Sequence, residues 1–202
     1  MTLVIIDGLD GCGKSTQAAL MLGLLKKMKK TACLRVHPET DNWFGVQARR
    51  YLYSEGTSAH FASAIFYMVD VIRSVLLYSW READFIIFVR YLMGTAYLPS
   101  PLHSIAYNFF ATIVPKSNYM FFLDVYPEEA SSRIAKNRTQ TEMFENLIAL
   151  RKVRTKALAL TRFGKWTIVN SNGSVGKTAS KINMQLFQKP TGRVAKNQSE
   201  AL

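Results

Sequence analysis

The 202-residue chain has only two cysteines, six prolines and 14 acidic residues, and each shortage closes off a class of protein. Cys12 and Cys33 cannot form the disulfide framework of a small secreted domain, and no Cys or His spacing matches a zinc site. No uninterrupted apolar run approaches the roughly 18 residues of a membrane span, and Thr2 to Ile6 lacks the basic flank of a secretion signal. These absences predict a cytoplasmic protein with no membrane partner. The acidic residues are outnumbered by 26 Lys and Arg, giving a net charge of +12, which points to a polyanionic ligand. The absence of an aromatic-basic RNA motif and of a zinc-finger spacing argues against a nucleic-acid partner in spite of that charge. The basic residues are spread out, and the densest group, Lys26, Lys27, Lys29 and Lys30, reads as a solvated helix face. At 49% hydrophobic the chain can bury one sizeable core, so residues 1–188 are expected as a single domain. Residues 189–202 are polar and short of apolar anchors, which predicts a disordered tail.

One stretch organises the rest. The apolar run Leu3 to Ile6 leads into Asp7-Gly8-Leu9-Asp10-Gly11-Cys12-Gly13-Lys14-Ser15-Thr16, which has the spacing of a phosphate-binding loop at a strand-to-helix turn. Gly8, Gly11 and Gly13 permit the crowded or left-handed backbone that lets successive N–H groups converge on phosphate oxygens. The next helix points its positive end into the same cavity. Lys14, expected to face solvent, can reach the β- and γ-phosphates, and the Ser15 hydroxyl can ligate Mg²⁺. Gly8, Asp10, Gly11, Cys12, Gly13, Lys14, Ser15 and Thr16 are therefore the expected ATP-binding residues.

Downstream, strand and helix patterns alternate. A helical stripe runs from Ser15 to Met28, followed by a strand over Thr31 to Val36 and a loop from Pro38 whose Asp41, Asn42 and Trp43 lead into a helix through about Tyr53. Thr57-Ser58 can cap a long helix from Ala59 to Arg81. Strands are expected at 84–89, 119–125 and 165–169, with helices at 103–114, 139–162 and 173–187, and Pro127 suits a first helical turn. Five buried-type strands separated by helices predict an α/β fold: a five-stranded parallel sheet flanked by helices in three layers. The ligand cleft of such a sheet lies beyond the carboxyl ends of its strands. Asp7, His37, Arg90 and Asp124 each follow or end a strand there.

The ordered set of motifs resembles the thymidylate kinase family. It comprises Asp7 through Gln17, Arg90-Tyr91 with Ala96-Tyr97, and Phe122 through Glu129 followed by Arg133 and Arg138. Glu142, Phe144 and Arg151 extend the likeness over about residues 3 to 170. The resemblance implies a P-loop kinase, of a family often homodimeric, that uses ATP and Mg²⁺ to phosphorylate dTMP. It assigns Asp10 to the deoxyribose 3′-hydroxyl, Arg90 to the acceptor phosphate, Tyr67 and Tyr97 to the acceptor site, and Asp7 to an acidic position near the metal. Gly11 leaves no arginine in the loop, so residues 133–142 are the expected lid, with Arg138 and Arg133 as the charges it delivers. Alternatives remain: a kinase of this fold with another acceptor, or a nucleotide-binding regulator without turnover.

The chain also departs from the family pattern. Val89 replaces the aspartate expected before Arg90, which leaves Asp7 or Asp124 to orient the metal. Val36 stands where an arginine usually precedes the loop proline by two residues, with Arg35 on the other face of the strand. Val71 follows Asp70 where an arginine is usual, and Leu98 follows Tyr97 where a polar residue is common. Plainer roles compete at several positions: a turn former at Asp10, a helix-surface charge at Arg133, a helix cap at Asp124, and a core residue at Tyr67.

Overall fold

Alternating β-branched and aromatic runs build the sheet. In the computed structural model, which describes residues 1–54, 56–137 and 146–187, these runs are β1 (Thr2–Gly8), β2 (Ala32–Val36), β3 (Phe85–Val89), β4 (Tyr119–Asp124) and β5 (Trp166–Asn170). All pair in parallel, in the order β2-β3-β1-β4-β5. The three central strands carry the continuous apolar sequences expected of strands covered on both faces: Ile5, Ile86, Phe88, Phe121 and Phe122 are all buried. The helices are α1 (Lys14–Lys27), α2 (Trp43–Leu52), α3 (Thr57–Tyr78), α4 (Leu102–Ile113), α5 (Pro127–Asn137), α6 (Leu147–Leu160) and α7 (Val175–Phe187). Helices α1 and α7 pack together, while α3, α4 and α6 gather around a short 3-10 turn, Met93–Tyr97.

The register places the cleft. Ile6 pairs with Val89, and the ladder continues through the Arg90 N–H to the Ile6 carbonyl at 3.1 Å. The loop after β1 and the loop after β3 therefore leave the sheet side by side.

Three expectations shift. The α3 start is set by Gly56, at φ 99°, with no side-chain cap, so Thr57 opens the helix and does not precede it. The turn Met93–Tyr97 occupies a stretch for which no element was expected. Over Phe61–Tyr78, α3 is long and apolar enough to match a membrane span by length and composition, with mean hydropathy 1.6. Counting only uninterrupted runs hides this, because Asp70 and Arg73 break them. In the structure Asp70 is fully buried, Arg73 pairs with Asp41 at 3.4 Å, and α3 packs along α2. Residues 133–137 of the expected lid continue α5, while Arg138 and the rest of it, 139–142, lie outside the described residues, as does the expected tail.

Candidate active site

The glycine loop is held by close approaches that only glycine permits. A Cβ at Gly8 would lie 2.5 Å from the Leu123 carbonyl oxygen, and one at Gly11, 2.6 Å from that of Ala130. Both residues have positive φ, 148° and 75°. Helix α1 then begins without a side-chain cap, so its first-turn N–H groups are available to an anion. Ser15 and Thr16 are exposed there.

Lys14 is buried, contrary to the solvent-facing position expected. Its Nζ donates to the carbonyls of Gly8 at 2.9 Å and Leu9 at 2.5 Å, and lies 3.6 Å from Asp10 Oδ1. Asp10 in turn receives Arg90 Nη2 at 2.5 Å and the Tyr97 hydroxyl at 2.7 Å. Burial works to raise the Asp10 carboxyl, but the Arg90 guanidinium and the Lys14 ammonium outweigh it and hold the group well below the usual carboxylate range. Asp10 is thus an ionised anchor that orients two cations and a phenol. Arg90 reaches it from a left-handed backbone, φ 57°, a conformation costly for a residue with a Cβ and typical of functional sites.

That conformation is secured by Asp7. One carboxylate oxygen accepts the N–H groups of Tyr91 and Leu92 at 2.9 Å and of Met93 at 3.1 Å. Burial pushes the Asp7 carboxyl up, and these three donors and Lys14 oppose it. Asp7 therefore clamps the loop that carries Arg90. Asp124, the other carboxylate considered for the metal, forms a two-pronged pair with Arg154 at 2.7 and 2.8 Å. Val89 is fully buried. Among the described residues, no three His, Cys, Asp or Glu side chains converge as a metal site.

Two cavities flank the glycine loop. One is lined by Asp7, Gly8, Asp10, Tyr67, Arg90 and Tyr97, with apolar neighbours from α2, α3 and the 3-10 turn. The other is lined by Gly11, Gly13, Ser15, Thr16 and Arg133, together with the loop from Ser171 to Val175. Arg133 donates to Glu129 at 2.8 Å and to the Ser171 carbonyl at 3.0 Å. Cys12 is buried against the loop, and its Sγ lies 3.8 Å from Lys14 Nζ. Burial pushes the Tyr67 phenol well above its ordinary value.

Several residues singled out in the sequence lie elsewhere. Arg35 pairs with Glu39 and Asp41 and lies over the Tyr78 ring, away from the cavities. His37 is fully buried, its Nδ1 3.1 Å from the Arg90 carbonyl and 3.3 Å from that of Val89. Val71 is in the core. The sequence reading missed Asp70 as a hub: it accepts the Glu39 N–H at 2.9 Å and the Asn42 amide at 2.6 Å, and Asn42 caps α2. A lone acid on the buried face of an apolar helix was its available signal. The reading also missed Gly94, where a Cβ would lie 2.4 Å from the Tyr67 ring; no local pattern marks that contact.

A family model described as thymidylate kinase matches residues 6–182. The thymidylate kinase of Helicobacter pylori is 31% identical over 191 residues, covering 89% of this chain and 95% of the relative. A probable thymidylate kinase of Thermococcus onnurineus is 30% identical over 190 residues, covering 85% and 90%. Among solved structures, that of the Candida albicans thymidylate kinase matches with a TM-score of 0.71 at 21% identity, over 90% of this chain and 88% of that one, a likeness of fold. Since the match runs from β1 through most of α7 and takes in both walls of the cleft, this chain belongs to the thymidylate kinase family.

Proposed function

We propose that the protein transfers the γ-phosphoryl group of ATP to dTMP, with Mg²⁺, giving ADP and dTDP. The observation that carries this reading is the shared wall: one loop lines the two cavities, with Gly8 and Asp10 on one side and Gly11, Cys12 and Gly13 on the other. A donor phosphate at the head of α1 and an acceptor phosphate beside Arg90 would then meet across the loop. Lys14, held on the Gly8 and Leu9 carbonyls of that loop, would follow charge onto the migrating group. Arg90, aimed by Asp10 and by the Asp7 clamp, holds the acceptor phosphate for direct attack, and no nucleophilic side chain is needed. Because Asp10 stays ionised, its part is to orient and not to supply a proton.

The donor set suits magnesium, which keeps most of its own waters and phosphate ligands. The exposed Ser15 hydroxyl is the side-chain oxygen that would hold it, since Asp124 is paired and Asp7 clamps the loop. When bound, the ion would neutralise phosphate charge. Arg133, on the donor side, and Arg138 are the charges proposed to close over the reaction. The work belongs in the cytoplasm, where such nucleotides are made and used. A homodimer is the proposed assembly: Ile65, Leu76, Leu77 and Trp80 lie exposed along and just beyond α3, and sedimentation equilibrium reads the state.

ADP release measured with and without dTMP tests the reading. Turnover should require both nucleotides, and Lys14→Ala should lower kcat by about 100-fold or more. ATP consumption indifferent to every nucleoside monophosphate would sink it.

A further inference from the structure

The acceptor cavity is polar at one end only. Asp7, Asp10 and Arg90 sit beside the glycine loop, while Pro38, Ala48, Leu52, Ala64, Met93 and Leu98 supply much of the remaining wall. The polar side chains among the rest are mostly engaged. The Ser63 hydroxyl donates to the Ala48 carbonyl at 3.2 Å, and the Tyr97 hydroxyl donates to Asp10. Tyr67 differs: the residue is 8% exposed, and its hydroxyl is the one buried side-chain polar atom of this cavity without a hydrogen-bond partner among the described residues.

Among the described residues, the neighbouring positions add no second reader. Val71, one turn along α3 from Tyr67, is fully buried, and Arg73 turns outward to Asp41. Gly94 has no side chain, and the Tyr67 ring fills the space one would need.

We propose that this cavity is blind to the hydrogen-bonding edge of the pyrimidine it takes, with the Tyr67 hydroxyl its one contact there, so that dUMP and dCMP are acceptors as well as dTMP. The proposal rests on the phosphotransfer reading and extends it to acceptor range. A hydroxyl both donates and accepts, and it rotates to suit. It can donate to the ring carbonyl of thymine or uracil and accept from the amino group of cytosine, where a fixed cation could do only the first. The apolar wall then discriminates by size alone. One methyl group is worth about 10- to 200-fold in such a pocket, whereas a site built to hydrogen-bond rejects a mismatched analogue by about 10⁴-fold or more.

The deciding pair is dUMP and dCMP, which match in size and differ at the edge. Both kcat/KM and Kd, the latter by calorimetry, are measured for the wild type and for Tyr67→Phe, which keeps the ring. The wild-type ratio between the two nucleotides should lie within about tenfold in both quantities. Tyr67→Phe should weaken both ligands about 3- to 10-fold and equally, with the KM for ATP unchanged. A ratio above about 10³ overturns the proposal, because such a gap needs a group that reads the edge. Unchanged Kd values in Tyr67→Phe overturn the assignment of Tyr67. Absence of turnover with dTMP would instead refute the phosphotransfer reading, and the two Kd values still decide the question of the base.

Discussion

Gly94 and Tyr67 share a volume that holds only one of their possible side chains. A Cβ at position 94 would lie 2.4 Å from Cε1 and 2.6 Å from Cζ of the ring, more than an ångström inside ordinary carbon contact at about 3.5–4.0 Å. The Gly94 backbone lies outside the left-handed region, so Gly94→Ala is a purely spatial perturbation. Either the buried ring moves or the turn Met93–Tyr97 does. Overpacking of this kind costs about 1–3 kcal/mol. For a chain of this size, each kcal/mol shifts Tm by about 2–4 °C, which gives a fall of about 2–12 °C. The turn carries Tyr97 to Asp10, so the KM for the acceptor should also rise. Thermal denaturation of Gly94→Ala is compared in the wild-type and Tyr67→Leu backgrounds. With the ring gone, the added methyl should cost less than about 0.5 kcal/mol, leaving a coupling of at least about 0.5 kcal/mol between the sites. An equal cost in both backgrounds would refute the shared-volume argument.

Three further outcomes follow from the geometry. Asp7→Asn replaces the charged oxygen that accepts three N–H groups by the weaker neutral acceptor of an amide, so kcat/KM for the acceptor should fall about tenfold with the magnesium midpoint unchanged; a raised magnesium requirement would return Asp7 to the metal. Burial pushes the His37 imidazole down to about 4, against opposition from Asp70, so the fold favours the neutral ring: stability is intact above the unfolded value near 6.5 and declines by roughly 3 kcal/mol as pH falls towards 4. Urea titrations between pH 7 and 4 should show this slope and its flattening in His37→Gln, and identical slopes would exclude His37 as its source. Arg138→Ala should lower kcat by about 10³ with little change in the KM for ATP; a loss confined to KM would make it a ground-state clamp.

What could be read in the sequence was local. The five strands were visible because β1, β3 and β4 are nearly continuous apolar runs, and the glycine loop because its spacing is itself the binding geometry. The rule that clefts lie at strand ends put Arg90 in the cleft, and the glycine loop after β1 put Asp10 there. Their contact could not be read, since Asp10 and Arg90 meet only once β1 and β3 are in register. The role of Asp7 was hidden for the same reason: its three partners lie 84 to 86 residues away. Burial of Lys14 depends on carbonyls turned inward by the loop itself, which residue type does not reveal. Asp70, beside the departure at Val71, and Arg73, farther along α3, stand in a helix whose pattern shows neither one's partners. Their actual partners, Glu39, Asn42 and Asp41, all belong to the loop after β2.

The ring of contacts around Asp10 also sets the terms on which a phosphate can enter. Lys14 already has two carbonyl partners and a nearby carboxylate, and Arg90 is already matched to the same carboxylate. Nucleotide binding is therefore an exchange of partners and not the capture of an anion by bare charge. Its free energy is a difference between two well-formed arrangements, so affinity should fall less steeply with ionic strength than the count of cations suggests. A small anion such as inorganic phosphate, which cannot span the head of α1 and the Arg90 guanidinium together, gains too little to displace those partners. Selection against the abundant simple anion is thus built into the loop before any base is read.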